Sequence, residues 1–442
     1  MARRRLFGCT LIATLGGGVA AGPLDPPEAP ASTPGPEARR PIRQSDLPLT
    51  ISARGSSWYV AEPLSFSTVD AAAIFVSERF VTIDLNGFTL TGPGSTVGTA
   101  SSIGIQGGAA AREVTIRNGT ITAFGADGVR LAARGGVAED LHVFDCDERG
   151  INFTADNGRV EGCTVQSCDL AGIEVAQGSS VVDCVSRGNG VGVRVGDHSR
   201  VESCVVQSNT GDGILSTAGI LDALVTGCVA GGNSGDGIAI VRGTVSQCQA
   251  NENGGAGIRV DSGGSVHQSR ADGNGGTGIT IPGAGGVISE CTASDNGGGG
   301  IYGNIGVLIA RCAANSNDAA GIRGTDGTTI LECLSTSNDG DGFEVDRYCT
   351  VMNSTARFNT TPANDGAGVR VNQDSNRIEG NSVFSNNIGI ITGNTSSLLV
   401  VRNHAAGNAQ GEYVVPPASA LGPVATGFPG ATPPGPWDNF DR

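Results

Sequence analysis

Apolar and variable residues alternate in short bursts along this chain, and the bursts recur about every 21 residues. The commonest has the form Gly-Ile-x-Val, as in Gly172-Ile173-Glu174-Val175 and Gly257-Ile258-Arg259-Val260. Alternation of period two with β-branched residues predicts a strand with one buried face. The glycine of this phrase can be followed through Gly104, Gly128, Gly150, Gly172, Gly192, Gly213, Gly237, Gly257, Gly278, Gly300, Gly321, Gly342, Gly368 and Gly389, at intervals of 20 to 26 residues. A second apolar column lies at Val160, Val181, Val201, Val225, Val245, Val266, Ile288, Ile309, Ile330, Val351, Ile378 and Val400. The unit is too short and too rich in glycine for a pair of helices. Two or three short strands joined by tight bends fit it, making one turn of a parallel β-coil. No single turn can bury its own apolar face, so the chain is predicted to be a stacked solenoid. About fourteen coils at ~4.8 Å per strand would stack to on the order of 65 Å.

Three residues after each position of the second column comes a cysteine or a small polar residue: Cys163, Cys184, Cys204, Cys228, Cys248, Ser269, Cys291, Cys312, Cys333, Ser354, Asn381 and Asn403. Five residues further on lie Cys168, Asn189, Asn209, Asn233, Asn253, Asn274, Asn296, Asn317, Asn338, Asn359, Asn386 and Asn408. The constant offset places both columns in one register. Stacked asparagines can pass amide hydrogen bonds from coil to coil and so satisfy themselves at a buried bend. The cysteine column reads as a ladder of free buried thiols, because parallel stacked side chains rarely offer the torsion of about 90° that a disulfide needs. Cys146 and Cys168, in neighbouring coils of the asparagine column, are the pair most expected to bridge. One column supplies too few ligands for zinc.

Both ends depart from the repeat. Arg3, Arg4 and Arg5 precede an apolar stretch from Leu6 to Ala21, which predicts a secretory signal peptide over residues 1–21. Residues 22–47 are rich in Pro and Ala and read as a linker. Residues 48–80, with Trp58, Tyr59 and Phe66, are predicted to cap the first coil, since an open sheet edge invites aggregation. The coil itself is expected over 81–414, opening with two strands around the bend Asn86-Gly87. The tail 415–442 is rich in Pro and Gly, and its Trp437 and Phe440 are expected to cover the last coil.

All 28 basic residues are Arg, against 43 acidic ones. Cleavage after Ala21 would remove three Arg and no acid, so the exported chain would be strongly anionic, which excludes nucleic acid and anionic membranes as natural partners. Candidate chemistry therefore concentrates on the outward positions of the Gly-Ile-x-Val strands, which stack into a ribbon: Arg130, Asn152, Glu174, Arg194, Leu215, Ala239, Arg259, Thr280, Tyr302, Arg323, Glu344 and Arg370. Two clusters stand out. Glu174 and Arg194 have Asp197 and His198 just beyond them, and Arg323, Glu344 and Arg370 have Asp346, Arg347 and Tyr348 nearby. An Arg could neutralise a uronate carboxylate while an Asp, His or Tyr moves a proton. The same residues also read as solvated ion pairs between neighbouring strands. Asp212 and Asp236 precede the repeat glycine in successive coils and could hold Ca²⁺, although an Asp before Gly commonly just makes a bend. No other cofactor is expected.

The repeat resembles the right-handed parallel β-helix superfamily, which has the pectate-lyase-like fold. The phrases carrying the resemblance are Thr82–Gly92 (TIDLNGFTLTG) and Val114–Ile121 (VTIRNGTI), together with the closing Pro-Trp-Asp-Asn-Phe at 436–440. They are similar to those of exported bacterial β-helix proteins. The resemblance implies an all-β right-handed solenoid, exported to the periplasm, cell surface or medium. The superfamily includes polysaccharide lyases, polygalacturonases and alginate epimerases. The Asn-Thr-Asp with Gly-His-Gly set, the Asp-Pro-His-Asp motif and a catalytic lysine are missing from this sequence. The leading expectation is a non-catalytic extracellular scaffold or glycan-contacting surface protein. The alternative is a carbohydrate-active enzyme, a lyase or hydrolase on acidic polysaccharide. The expected partner is an extracellular polysaccharide.

Overall fold

The structure is a computed structural model that describes residues 39–94, 101–216, 222–361, 365–393, 397–415, 420–426 and 437–441. The predicted signal peptide and most of the predicted linker lie outside these residues. Among them the only helix is the turn Gln44–Asp46, and none is long and apolar enough to cross a membrane.

Most coils contain three short strands separated by sharp corners, and in two early coils the first two run together as Thr115–Thr122 and Val137–Cys146. A representative coil runs through Arg159–Glu161, Thr164–Cys168 and Ala171–Val175 before the next begins at Ser180–Val182. Every strand pairs with its counterpart one coil away, in parallel and in register: Val160 with Val181, Val165 with Ser186, Ile173 with Val193. The third strands form a single ladder of seventeen, from Leu49–Ile51 to Tyr413–Val414. Alternation works as predicted: Ile173, Ile214, Ile258, Ile301 and Ile322 are buried, while Glu174, Leu215, Arg259, Tyr302 and Arg323 are at least partly exposed.

The ladder is longer than the expected fourteen coils because the repeat begins earlier than its glycine phrase. Arg40–Ile42 pairs with Ser57–Val60, and Leu49–Ile51 pairs with Ala72–Val76. The segment read as lacking the repeat thus already contributes strands to the first coils. Its buried positions, Ile51, Val60, Leu64 and Ile74, continue the same core without the Gly-Ile spelling. At the other end Asn439–Asp441 pairs with His404–Ala406, and the Arg402 guanidinium lies 4.5 Å over the half-exposed Trp437 ring.

The corners explain the polar columns. The residue before each ladder asparagine has positive φ, whether Gly188, Gly232 and Gly273 or Ser208, Glu252, Asp295 and Phe358. This left-handed residue turns the chain and points the next side chain inward. There each asparagine accepts the backbone N–H of its counterpart in the preceding coil. Asn274 N donates to Asn296 Oδ1 at 3.0 Å, and Asn296 N donates to Asn317 Oδ1 at 3.2 Å. The side-chain amides repeat the pattern, with Nδ2 of Asn274 donating to Oδ1 of Asn296 at 2.9 Å. The run is unbroken from Asn189 to Asn408, where the Glu412 carboxylate accepts from Asn408 and closes it.

The recurring glycine is required by this ladder. A Cβ on Gly278 would lie 2.6 Å from Asn296 Nδ2, and one on Gly257 would lie 2.7 Å from Asn274 Nδ2. Gly172, Gly192, Gly213, Gly237, Gly300, Gly321, Gly342 and Gly368 meet their asparagines in the same way. The constraint is close approach, since none of these glycines needs positive φ.

The thiol column of Cys163, Cys184, Cys204, Cys228, Cys248, Cys291, Cys312 and Cys333 is buried and free throughout, as are Cys146, Cys168 and Cys349 outside it. Most of these thiols sit against two carbonyls, as Cys184 does with Val160 O at 3.6 Å and Val182 O at 3.2 Å. Cys146 and Cys168, the pair expected to bridge, lie opposite each other in register yet are free thiols. Side chains leaving parallel strands at equivalent positions run alongside one another, which is unfavourable for the disulfide torsion. Ser269, Ser354, Asn381, Asn403 and finally Asn439 substitute for sulfur in the same column; Asn403 N donates to Asn439 Oδ1 at 3.0 Å.

Candidate functional site

The outward ribbon exists as read from the sequence. Arg130, Asn152, Glu174, Arg194, Leu215, Ala239, Arg259, Thr280, Tyr302, Arg323, Glu344 and Arg370 are successive register partners along the third ladder. Side chains one strand apart on the same face are close enough to interact.

Around Glu174 the structure builds a network larger than the sequence suggested. Arg149 Nε donates to Glu174 Oε2 at 2.6 Å, and Arg194 Nη1 lies 3.7 Å from the same oxygen. Arg149 also approaches Glu148 at 3.2 Å, and Arg130 Nη2 reaches Glu148 at 3.0 Å. Beneath them the fully buried Asp127 accepts from Arg130 Nε at 2.5 Å and from Asn152 Nδ2 at 2.8 Å. Burial opposes the charge of Arg149, and the bonded Glu174 carboxylate more than offsets it, so its pKa stands above the ordinary guanidinium value. A cleft of about 290 Å³ opens here, lined by Asn152, Thr154, Glu174 and Arg194 with the backbone around Val175 and Gly196. Arg194 Nε is buried without a hydrogen-bond partner.

Asp197 and His198 are not among the residues lining this cleft. They occupy the bend after the strand, where Asp197 O accepts from Gly178 N at 2.7 Å and His198 is exposed with φ of 51°. The sequence placed them near Arg194 correctly. It could not show that the chain turns away from the ribbon at Gly196. Conversely, Arg149 and Glu148 escaped notice because they precede the strand. Arg149 occupies the position held by Asp127, Asp212 and Asp236 in other coils, and that column was the available signal.

That column works as a set of bend caps. Asp212 Oδ1 accepts from Asp236 N at 2.7 Å, Asp236 Oδ1 from Ala256 N at 2.7 Å, and Asp341 Oδ1 from Ala367 N at 2.7 Å. The second oxygen of Asp236 binds Arg259 Nε at 2.8 Å, and that of Asp341 binds Arg370 Nε at 2.6 Å. A cation held by Asp212 and Asp236 would have to compete with the Arg259 guanidinium. Among the described residues no group of three or more His, Cys, Asp or Glu could hold a metal ion.

In the second cluster Arg323 Nε lies 3.7 Å from Glu344 Oε2, while Arg370 turns to Asp341 instead. Asn372 Nδ2 donates to Glu344 at 3.0 Å and to Asp346 at 3.1 Å. Arg347 bonds Asp326 at 2.7 Å in the neighbouring bend, and Tyr348 is exposed beside it. A smaller cleft of about 160 Å³ is lined by Thr277, Gly299, Tyr302, Ala320, Arg323 and Glu344.

Comparison with solved structures finds likeness over most of the chain at low identity. The mannuronan C-5 epimerase AlgE4 A-module of Azotobacter vinelandii is 14% identical, covering 86% of this chain and 88% of that one, with a TM-score of 0.27. Pectate lyase Pel9A is 12% identical over 65% and 72%, TM-score 0.31. PfbA, a surface adhesin of Streptococcus pneumoniae, is 11% identical over 83% and 85%, TM-score 0.26. No curated protein matches the sequence. The family model described as "Right handed beta helix region" matches residues 50–200 and 261–409, and the stacked coils run through both stretches. The chain belongs to the right-handed β-helix family.

Proposed function

We propose that this protein is an exported, non-catalytic scaffold whose third-strand ribbon contacts extracellular glycan. The observation that carries this reading is the composition of the larger cleft. Its only ionisable lining residues are Glu174 and Arg194, and the Glu174 carboxylate is already bonded to Arg149 at 2.6 Å. Proton transfer to and from a sugar needs an acid and a base positioned on the reacting group. The bond to Arg149 already occupies one oxygen of that carboxylate, and no second carboxylate or histidine lines the cleft to complete an acid and base pair. The neighbouring His198 lies on the outer bend, away from the cleft lining. Export is part of this reading and rests on the Arg-led apolar N-terminus.

The test is incubation of the purified protein with a panel of acidic polysaccharides, with and without Ca²⁺, followed by assays for unsaturated products, reducing ends and epimerised residues. No turnover is expected. Robust turnover that disappears in Arg194→Ala or Glu174→Gln would replace the scaffold reading with an enzyme.

A further inference from the structure

Five arginines stand on the ribbon, and they fall into two kinds. Arg130, Arg259 and Arg370 each bond an Asp at 2.5, 2.8 and 2.6 Å. Arg194 and Arg323 instead face Glu174 and Glu344 at 3.7 Å, too far for a hydrogen bond. These two loose pairs are also the ones that line the two clefts. In the first, the buried Arg194 Nε has no partner.

A gap of 3.7 Å between a donor and an acceptor is bridged by one hydroxyl oxygen at about 2.8 Å from each. A hydroxyl suits it because it accepts from the guanidinium and donates to the carboxylate. An anionic group would meet Glu174 or Glu344 on a chain of net charge −15, and a cation would meet the arginine. The complementary ligand is therefore neutral and rich in hydroxyls. Tyr302, half-buried and in register beside Arg323, adds a ring face on which a sugar ring can lie. Arg194 and Arg323 are six strand steps apart through Leu215, Ala239, Arg259, Thr280 and Tyr302, which at ~4.8 Å per step is about 29 Å.

We infer that the ribbon holds a neutral linear polysaccharide at two points, one hydroxyl bridging Arg194 and Glu174, another bridging Arg323 and Glu344, with a sugar ring on Tyr302. The inference rests on the glycan-contacting reading and names its ligand class. Once one point is engaged, the second contact is intramolecular, so affinity rises sharply when the ligand becomes long enough to reach both.

Calorimetric titration with cello-, xylo-, manno- and malto-oligosaccharides, from disaccharide to lengths beyond the interval, tests this. At least one series should bind at least tenfold more tightly once it spans about 29 Å, with affinity unchanged between low and high salt. Arg194→Ala, Arg323→Ala and Tyr302→Ala should each return the long oligomer to near the disaccharide's affinity, with thermal unfolding showing that each variant remains folded. Equal affinity at all lengths, or insensitivity to Arg323→Ala, would overturn the two-point arrangement. Binding of polyuronate but of no neutral oligomer would overturn the inference and leave glycan contact standing. Binding of no oligosaccharide at all would overturn both.

Discussion

Removing one rung from the middle of the asparagine ladder measures what the polar columns contribute. Asn296 is fully buried; its Oδ1 accepts from Asn274 N at 3.0 Å and Asn274 Nδ2 at 2.9 Å, and its Nδ2 donates to Ala271 O at 3.1 Å and Asn317 Oδ1 at 2.8 Å. In Asn296→Ala, Asn274 Nδ2 keeps Ala250 O and Asn317 Oδ1 keeps the Asn296 N–H. The Asn274 main-chain N–H loses its acceptor at a fully buried position. An orphaned buried group costs about 1–3 kcal/mol, and the lost donation and small cavity raise the expected total to about 3 kcal/mol. The loss should be local, because each coil contacts only its neighbours. Hydrogen exchange followed by mass spectrometry should show the amides around Asn274 exchanging faster by a factor of roughly 150, the kinetic equivalent of about 3 kcal/mol. Amides near Ile83 and Val383 should change little. Asn296→Asp should be worse, because its second oxygen would face Ala271 O and Asn317 Oδ1 as acceptor against acceptors. A loss below about 0.5 kcal/mol, or faster exchange spread evenly along the chain, would refute the claim that the ladder is satisfied rung by rung.

Gly278→Ala should cost about 1–3 kcal/mol in denaturant unfolding, because its Cβ would meet Asn296 Nδ2 at 2.6 Å and Gly300 O at 2.8 Å; a neutral result would mean that close approach is not what requires the glycine. Thiol labelling of the native protein, Cys9 aside, should miss the eleven buried cysteines, and denaturation without reductant should expose them; release of one or none would mean the column is bridged. Stability should also fall at alkaline pH. Burial pushes the Cys349 thiol up from 9.0 to about 11, so its contribution is intact below pH 9 and is lost as pH rises through 11. Cys349→Ala should flatten the decline in denaturation midpoint between pH 9 and 11, and an unchanged slope would exclude Cys349 as a source of it.

The period and alternation of the chain determined by themselves that it is a parallel solenoid, which residues stack and which face each strand presents. Those properties follow from local geometry repeated: a strand alternates faces, and equal spacing brings equal positions into register. The Glu174–Arg194 and Arg323–Glu344 neighbours were legible for that reason. The first coils were not, because Ile51, Val60 and Leu64 bury the same positions without the Gly-Ile spelling. What only the tertiary structure decided lies at the corners. There, chain direction changes by left-handed residues as different as Gly188, Ser208, Glu252 and Phe358, so sequence carries little trace of the turn. The stacked coils also leave His198 outside the cleft lining, bring Arg149 onto Glu174, hold Cys146 and Cys168 side by side as free thiols, and set two Arg–Glu pairs at 3.7 Å while three Arg–Asp pairs close fully. Spacing along a strand is a property of the chain, whereas these distances depend on which side chains folding brings together from different coils.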